Sequence, residues 1–324
     1  MKKTLLALAV LAAAGSVNAA EIVKTDEGTV NFYGQIRQNV LYNDQDGESH
    51  ASINPSSSRA GIDASYKINE NVKLVGKVET NIKSTWSTRQ HYVGFASDSF
   101  GTIVVGQTMP LADDVYGAEY SYIYGEADTF LYDTTIANDY YWQTNSVRWD
   151  LSKDSFWVKA QYNLDEAKSA PEIAQLFAGT SIGNLNLHTG YVYMNDDRSS
   201  DTVSKSIEGT AEYATDVFTL GLTYSHIDRE VDNVDADSDA LSVGAMVKVA
   251  DKTTVYGGYQ FADADTANRY GLDSTETASD RQVGYVGVEY KFASWGRTYA
   301  EYGFGKTKDE DAVNQVGVGA RVYW

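Results

Sequence analysis

The chain has no cysteine, so neither disulfides nor thiolate metal sites can hold it together. Proline is nearly absent: Pro55, Pro110 and Pro171 are the only three in 324 residues. No Ser/Gly-rich linker divides the sequence, so one large domain is the simplest organisation. Beyond the first residues, no apolar run approaches the roughly 20 residues that a spanning helix needs, which excludes a helical membrane protein. Positive charge is also short. The 26 Lys and Arg face 45 Asp and Glu, a balance that repels nucleic acid. No phosphate-binding glycine loop or zinc spacing occurs, so no cofactor and no metal are expected. Asp235, Asp237 and Asp239 alternate like the start of a calcium loop, but the required glycine and distal glutamate are missing. They read as a solvated acidic loop.

What is present begins with an export signal. Met1 to Ala19 run from Lys2 and Lys3 through the apolar stretch Leu5 to Ala14 and end in small residues. Cleavage after Val17-Asn18-Ala19 is expected to leave a mature domain of residues 20–324. Without the two signal lysines its net charge is −21. Loops this acidic suit divalent cations that bridge them to phosphate-bearing lipid head groups.

The rest of the chain repeats one pattern. Segments of about ten residues alternate apolar and polar side chains and then break at turn residues. Ala60, Ile62, Ala64, Tyr66 and Ile68 form one face of such a segment, with Arg59, Gly61, Asp63, Ser65 and Lys67 opposite. The last segment sets Val316, Val318, Ala320, Val322 and Trp324 against Gln315, Gly317, Gly319, Arg321 and Tyr323. Sixteen such segments follow one another, the first near Val30 and the last near Val313. Tight turns such as Asn69–Asn71, Gly183-Asn184 and Thr215-Asp216 alternate with longer polar stretches, among them Asn195–Lys205, Asp228–Ser238 and Ala262–Asp280. An even strand count with short turns on one side and long loops on the other predicts an all-β, 16-stranded antiparallel transmembrane β-barrel.

A soluble β-sandwich also alternates, but its strands usually run five or six residues. Aromatics also favour the barrel. With 24 tyrosines and six tryptophans, many at segment ends such as Tyr42, Tyr162, Phe292 and Trp324, the chain has the makings of interfacial girdles. All three prolines fall between segments, where no ladder donor is lost. Sixteen strands enclose a lumen too wide for side chains to fill, so an inward-folded segment is expected. The longest break in pattern, Met109 to Tyr141, is the candidate.

The sequence resembles the general porin family of Gram-negative outer membranes. The resemblance rests on Ala20-Glu21-Ile22, Val30-Asn31-Phe32-Tyr33-Gly34, Ser58-Arg59-Ala60-Gly61 and the aromatic C-terminus. Ser155-Phe156-Trp157-Val158-Lys159-Ala160 and Phe292-Ala293-Ser294-Trp295-Gly296-Arg297 look closer still to vibrio-type porins. It implies an outer-membrane homotrimer in contact with lipopolysaccharide, passing ions and small hydrophilic solutes by diffusion. It also implies a third loop folded into the lumen, with carboxylates facing an arginine ladder. Arg37, Arg59, Lys77 and Arg89 are the wall candidates, and Asp113, Asp114, Glu119, Glu126 and Asp128 the loop candidates. The loop departs from the enteric pattern: Ile123-Tyr124-Gly125-Glu126-Ala127 stands where Pro-Glu-Phe-Gly-Gly is expected. Lys83 to Thr88 is short for the second loop, which in that family latches neighbouring subunits. Each arginine has a plainer reading, as a lumen residue paired with a nearby acid such as Asp63.

Acidic excess predicts a preference for cations. Two other functions compete with free diffusion. His226-Ile227-Asp228 has the spacing of a rim hydrolase. Tyr116, Tyr120, Tyr122 and Tyr124 would suit a sugar-binding slide in a substrate-specific channel, or else they pack the loop against the wall.

Overall fold

In a strand, successive side chains point to opposite faces, so a two-residue apolar/polar period gives a sheet with one oily and one wet side. The computed structural model describes residues 20–45, 48–82, 86–115, 117–123, 143–164, 170–197, 201–264, 281–307 and 311–324. The expected signal segment 1–19, together with Tyr116, Tyr124, Glu126 and Asp128, lies outside them.

The strands of the first half are β1 (Ala20–Lys24), β2 (Gly28–Gln45), β3 (Glu48–Asn54), β4 (Arg59–Lys67), β5 (Lys73–Ile82), β6 (Trp86–Ser97) and β7 (Gly101–Thr108). A single helical turn, α1 (Leu111–Asp114), precedes β8 (Gln143–Ser152), β9 (Phe156–Asn163), β10 (Glu172–Ile182), β11 (Leu185–Asp196) and β12 (Thr202–Ala214). The remainder are β13 (Phe218–Val231), β14 (Val234–Ala250), β15 (Thr253–Ala264), β16 (Arg281–Ala293), β17 (Gly296–Thr307) and β18 (Val313–Tyr323).

Neighbours in sequence pair antiparallel, and β18 returns to β2 from Asn314↔Asp44 to Tyr323↔Gln35, which closes the ring. The wall has sixteen positions. β3 and β4 are two halves of one of them, pairing with the upper and lower parts of β2 on either side of Pro55. β1 continues the line of β18: it pairs with Thr29–Phe32 of β2, just past the point where Trp324 and Gly34 exchange backbone hydrogen bonds of 3.0 and 3.2 Å. Among the described residues no wall strand is left with a free edge, as a sheet in hydrocarbon requires.

Burial is inverted relative to a water-soluble protein. Ile36, Val40, Ile62, Val78, Leu220 and Val318 are exposed on the outer face, while Gln35, Asn39, Glu79, Gln175, Thr223 and Glu301 are buried inside. An apolar band this continuous far exceeds the few hundred Å² that monomeric soluble proteins tolerate. Short turns close one end. Asn69 Oδ1 accepts from the backbone N–H groups of Asn71 and Val72, and Thr215 Oγ1 does the same for Val217 and Phe218.

One expectation about loops needs correcting. Asp228–Ser238 is a hairpin whose arms pair up to Val231↔Val234. Asp232 and Asn233 make the turn with φ of 50° and 67°, a left-handed pair that Asp and Asn tolerate and that matches strand twist. Asp235, Asp237 and Asp239 therefore stand on β14 and not in an acidic loop.

Candidate functional site

After Thr108 the chain leaves the wall at Pro110, and α1 turns it against the inner face. Leu111, Ala112 and Val115 pack on Ile173 and Phe177 of β10 and on Val192 and Met194 of β11, with Trp157 alongside. These wall residues break the polar rule of the lumen. The dry contact fixes the loop here, each fully buried aliphatic side chain contributing about 1.5–3 kcal/mol.

Beyond the helix, residues 117–123 cross wall strand after wall strand. Ala112 N donates to Gln175 Oε1 at 3.1 Å, Ala118 N to Thr223 Oγ1 at 2.7 Å and Tyr120 N to Tyr285 Oη at 2.8 Å. Wall carboxylates take the rest. Tyr120 Oη donates to Glu212 at 2.8 Å, Ser121 Oγ and Tyr122 N to Glu301 at 2.6 and 2.8 Å, and Tyr122 Oη to Glu289 at 2.5 Å. Arg297 reaches the same Glu289 oxygen at 2.5 Å and Tyr122 Oη at 2.6 Å. The Tyr122 ring stacks on Tyr299 at 4.7 Å and meets Tyr256 edge-on at 5.3 Å. Burial raises the Tyr120 and Tyr122 hydroxyls above the usual tyrosine value, and the acids they donate to add to this. Both stay neutral donors.

Gly221 of β13 and Gly244 of β14 face each other across the pair. A Cβ on Gly221 would stand 2.5 Å from Tyr120 Oη, and one on Gly244 2.8 Å from its ring. Only glycine lets the tyrosine lie on the wall.

Of the five loop candidates, Asp113, Asp114 and Glu119 lie among the described residues. Asp114 bonds Arg148 of β8 and, at 2.8 Å, Lys159 of β9. Burial pushes its carboxyl up, but the two cations outweigh burial and hold it well below the usual carboxylate range. Asp113 sits beside it in the first turn of α1, and Glu119 follows a turn closed by its own N–H to Gly117 O at 2.9 Å.

On the wall, Arg59 and Arg89 converge on Glu79, at 3.7 and 2.7 Å, where Tyr33 Oη also donates at 2.8 Å. The acid that pairs them is Glu79 of β5, not Asp63, whose Oδ1 takes Asn31 at 2.8 Å. Lys77 lies 5.0 Å from the centre of the Tyr33 ring. Arg89 reaches Glu79 through a bulge: Gln90 pairs with Glu79 and Thr88 with Thr80, so Arg89 is the extra residue. Arg37 stands apart, donating to Tyr299 Oη at 2.9 Å. Arg148, Lys159, Arg297 and Arg321 carry equal weight in this lumen, and the sequence reading did not single them out. Strand alternation alone places Arg321 inward, and with Arg37 it is the signal that could have found the others.

His226 of β13 faces the outer surface near the rim, with Asp239 2.9 Å from Nδ1 and Asp228 3.2 Å from Nε2. Tyr120 and Tyr122 lie packed against the wall.

Residues 5–310 match the pattern of the Gram-negative porin family. Among curated relatives, a major outer membrane protein of Pasteurella multocida is 26% identical over the whole of both chains. Porin-like protein H of Photobacterium profundum is 23% identical, covering 96% of this chain and 97% of its own. Among solved structures, a loop-L8 deletion mutant of OmpT, an outer membrane protein of Vibrio cholerae, is 36% identical with a TM-score of 0.82, over 92% of this chain and 100% of that one. Salmonella typhi OmpF, at 13% identity, shares the fold with a TM-score of 0.73 over 93% of this chain and 99% of its own. A closed sixteen-position antiparallel wall, a polar lumen and a sequence matched along nearly its whole length lead to one conclusion: the chain belongs to the Gram-negative porin family.

Proposed function

We propose that the protein forms a water-filled channel in the outer membrane through which ions and small hydrophilic solutes diffuse passively. The observation that carries this is the closed wall, oily outside and lined inside by charged and amide side chains, with residues 111–115 and 117–123 braced across its inner face. A pore selects at its narrowest section by width and lining charge. The braced loop narrows the lumen, so polar solutes pass while bulky apolar ones must disturb ordered water. Residues 1–19 are removed on export, and the acidic outer rim meets lipopolysaccharide through divalent cations. The −21 charge of the mature chain favours cations. Three copies assemble, as in the trimer form of Vibrio cholerae OmpT.

No bond is made or broken in this function. Both ring nitrogens of His226 face carboxylates, which leaves neither to take a proton from a nucleophile. Packing of Tyr120 and Tyr122 against the wall disfavours a sugar slide built on them. Conductance of the purified protein in planar bilayers tests the channel: stepwise ohmic openings in KCl are expected, and a protein that inserts without conducting sinks it.

A further inference from the structure

An imidazole nitrogen and a carboxylate oxygen that meet inside a protein normally share a hydrogen bond, because leaving either unpaired is costly. His226 on the outer face follows this rule, with Asp239 and Asp228 each in reach of one ring nitrogen. His188 of β11 and Glu208 of β12 do not. Their side chains are only 4% and 7% exposed, and Nε2 lies 3.3 Å from Oε1. Yet neither atom has a hydrogen-bond partner among the described residues. Strand alternation turns both side chains to the inner face. His188 stands opposite Thr210 and Glu208 opposite Gly190, so the two are diagonal neighbours across the β11–β12 pair.

The wall around the pair holds it in place. Gly179 pairs with His188 from β10, and a Cβ there would stand 2.5 Å from the Trp157 ring, while one on Gly190 would stand 2.1 Å from the ring of Phe177. Two aromatic rings thus fill the glycine clefts beside the imidazole, and the Trp157 ring centre is 6.0 Å from that of His188. Neighbouring groups are committed elsewhere. The hydroxyls of Thr210 and Thr223 bond each other at 2.8 Å, and Thr223 also takes Ala118 N of the inward loop at 2.7 Å. Lys159, 5.9 Å from the centre of the Trp157 ring, is held by Asp114 at 2.8 Å.

The spacing is that of two ligands on one metal ion. Zinc takes an imidazole nitrogen at about 2.0–2.1 Å and a carboxylate oxygen at about 2.0–2.2 Å, and a tetrahedral angle sets such ligands roughly 3.3–3.5 Å apart. We propose that His188 and Glu208 form a two-ligand site for a divalent transition-metal ion on the channel wall, beside the inward loop. One imidazole and one carboxylate suit zinc, copper or nickel, whereas magnesium and calcium call for oxygen ligands. Among the described residues no group of three His, Asp or Glu side chains converges on a metal position. Water therefore takes the remaining positions, and the ion exchanges with the lumen where a structural metal, closed in by four protein ligands, would stay. The site rests on the channel reading for the ion's route and adds a solute class to it.

Two experiments decide it. Zinc chloride, with magnesium chloride as the control ion, is titrated by calorimetry into the folded barrel in detergent, for the unmodified protein and for H188Q, E208Q and H226Q. A saturable zinc site that magnesium does not fill is expected, weakened about tenfold or more by H188Q and by E208Q and kept in H226Q. No saturable zinc binding, or binding that H188Q leaves unchanged, overturns the site. A barrel that binds zinc in this way but carries no KCl current in planar bilayers upholds the site and overturns the channel reading, and a conducting barrel that binds no zinc does the reverse. Because a variant that fails to fold reports nothing, the second experiment uses the unmodified barrel. Copper with ascorbate and hydrogen peroxide oxidises the histidines that ligate it. Mass spectrometry should find oxidation at His188 severalfold above that at His91, which is exposed on the outer face of β6. Oxidation at His188 no greater than at His91, or none, overturns the site.

Discussion

Asp114 shows how one side chain decides where a loop lies. It is 31% exposed, yet it draws on two wall cations, Arg148 and Lys159, and so ties the start of the inward segment to β8 and β9. Replacing it with asparagine leaves Arg148 only Asp150 and Lys159 no acid among the described residues. Breaking a buried ion pair costs about 3–5 kcal/mol, and partial exposure brings the expected loss to about 1–3 kcal/mol. D114N should therefore unfold at lower temperature in detergent and show noisier open-channel current; current as quiet as that of the unmodified channel would argue against the tether. The pH dependence follows from the depressed carboxyl. A group of this kind contributes stability in full above its unfolded value, about 3.9, and loses it as pH falls through the lower folded value. Current noise of the unmodified channel should stay constant from neutrality to about pH 4 and rise only in stronger acid, whereas D114N should be noisy throughout. Glu79 is a second such point. E79Q leaves Arg59 and Arg89 without their shared acid and should lower thermal stability by about 3–5 kcal/mol, read from the shift of the folded band on unheated gels.

At the scale of elements, the loop and wall fit through Gly221 and Gly244. Replacing Gly244 with valine puts branched carbons where the Tyr120 ring and Ala118 O already sit. The outer face of β14 is unchanged, so the barrel should still form while residues 117–123 lift off the wall. Altered single-channel conductance together with normal heat-modifiable folding is the expected result, and an unchanged conductance would show that the contact does not set the bore. This register was only half legible in the sequence. Alternation places Gln35, Arg37, Arg59 and Arg321 on the inner face because the two-residue period is the physics of the strand itself. The Arg89 bulge breaks that period by one residue, and nothing local announces it. The apolar inner sector at Ile173, Phe177, Val192 and Met194 was illegible for another reason: those residues are inward because a distant helical turn covers them, a contact between segments some sixty residues or more apart in sequence. The Asp232-Asn233 turn carried a local signal, since both residues accept left-handed backbone, but acidity in the flanks read as loop. Short connections are also seen at the second hairpin, where β5 and β6 pair as far as Ile82↔Trp86. A subunit latch at that place has little chain to work with.

For the whole molecule, ion preference sets two charge distributions against each other. In the proposed channel, the −21 charge of residues 20–324 would act over the rims and vestibules and concentrate cations there, an effect that salt screens within about 10 Å at 0.1 M. The lumen is different, because Asp114, Glu79 and Glu289 are each bound to wall cations, and among the described residues no carboxylate pairs with Arg37 or Arg321. At low salt the rim field reaches the mouth and the zero-current potential in a KCl gradient should indicate cations. Near 1 M the screening length shrinks to about 3 Å and only the lining remains, so the preference should fall toward neutrality or reverse. Measuring that potential at a fixed concentration ratio from 0.01 to 1 M separates the two contributions. A preference that does not change with salt would place selectivity wholly in the narrow section, and R37Q with R321Q should then strengthen cation preference at every concentration. The same bilayers report assembly: current that closes in three equal steps is expected for a trimer of independent pores, and single-step closure would mean that one barrel inserts alone.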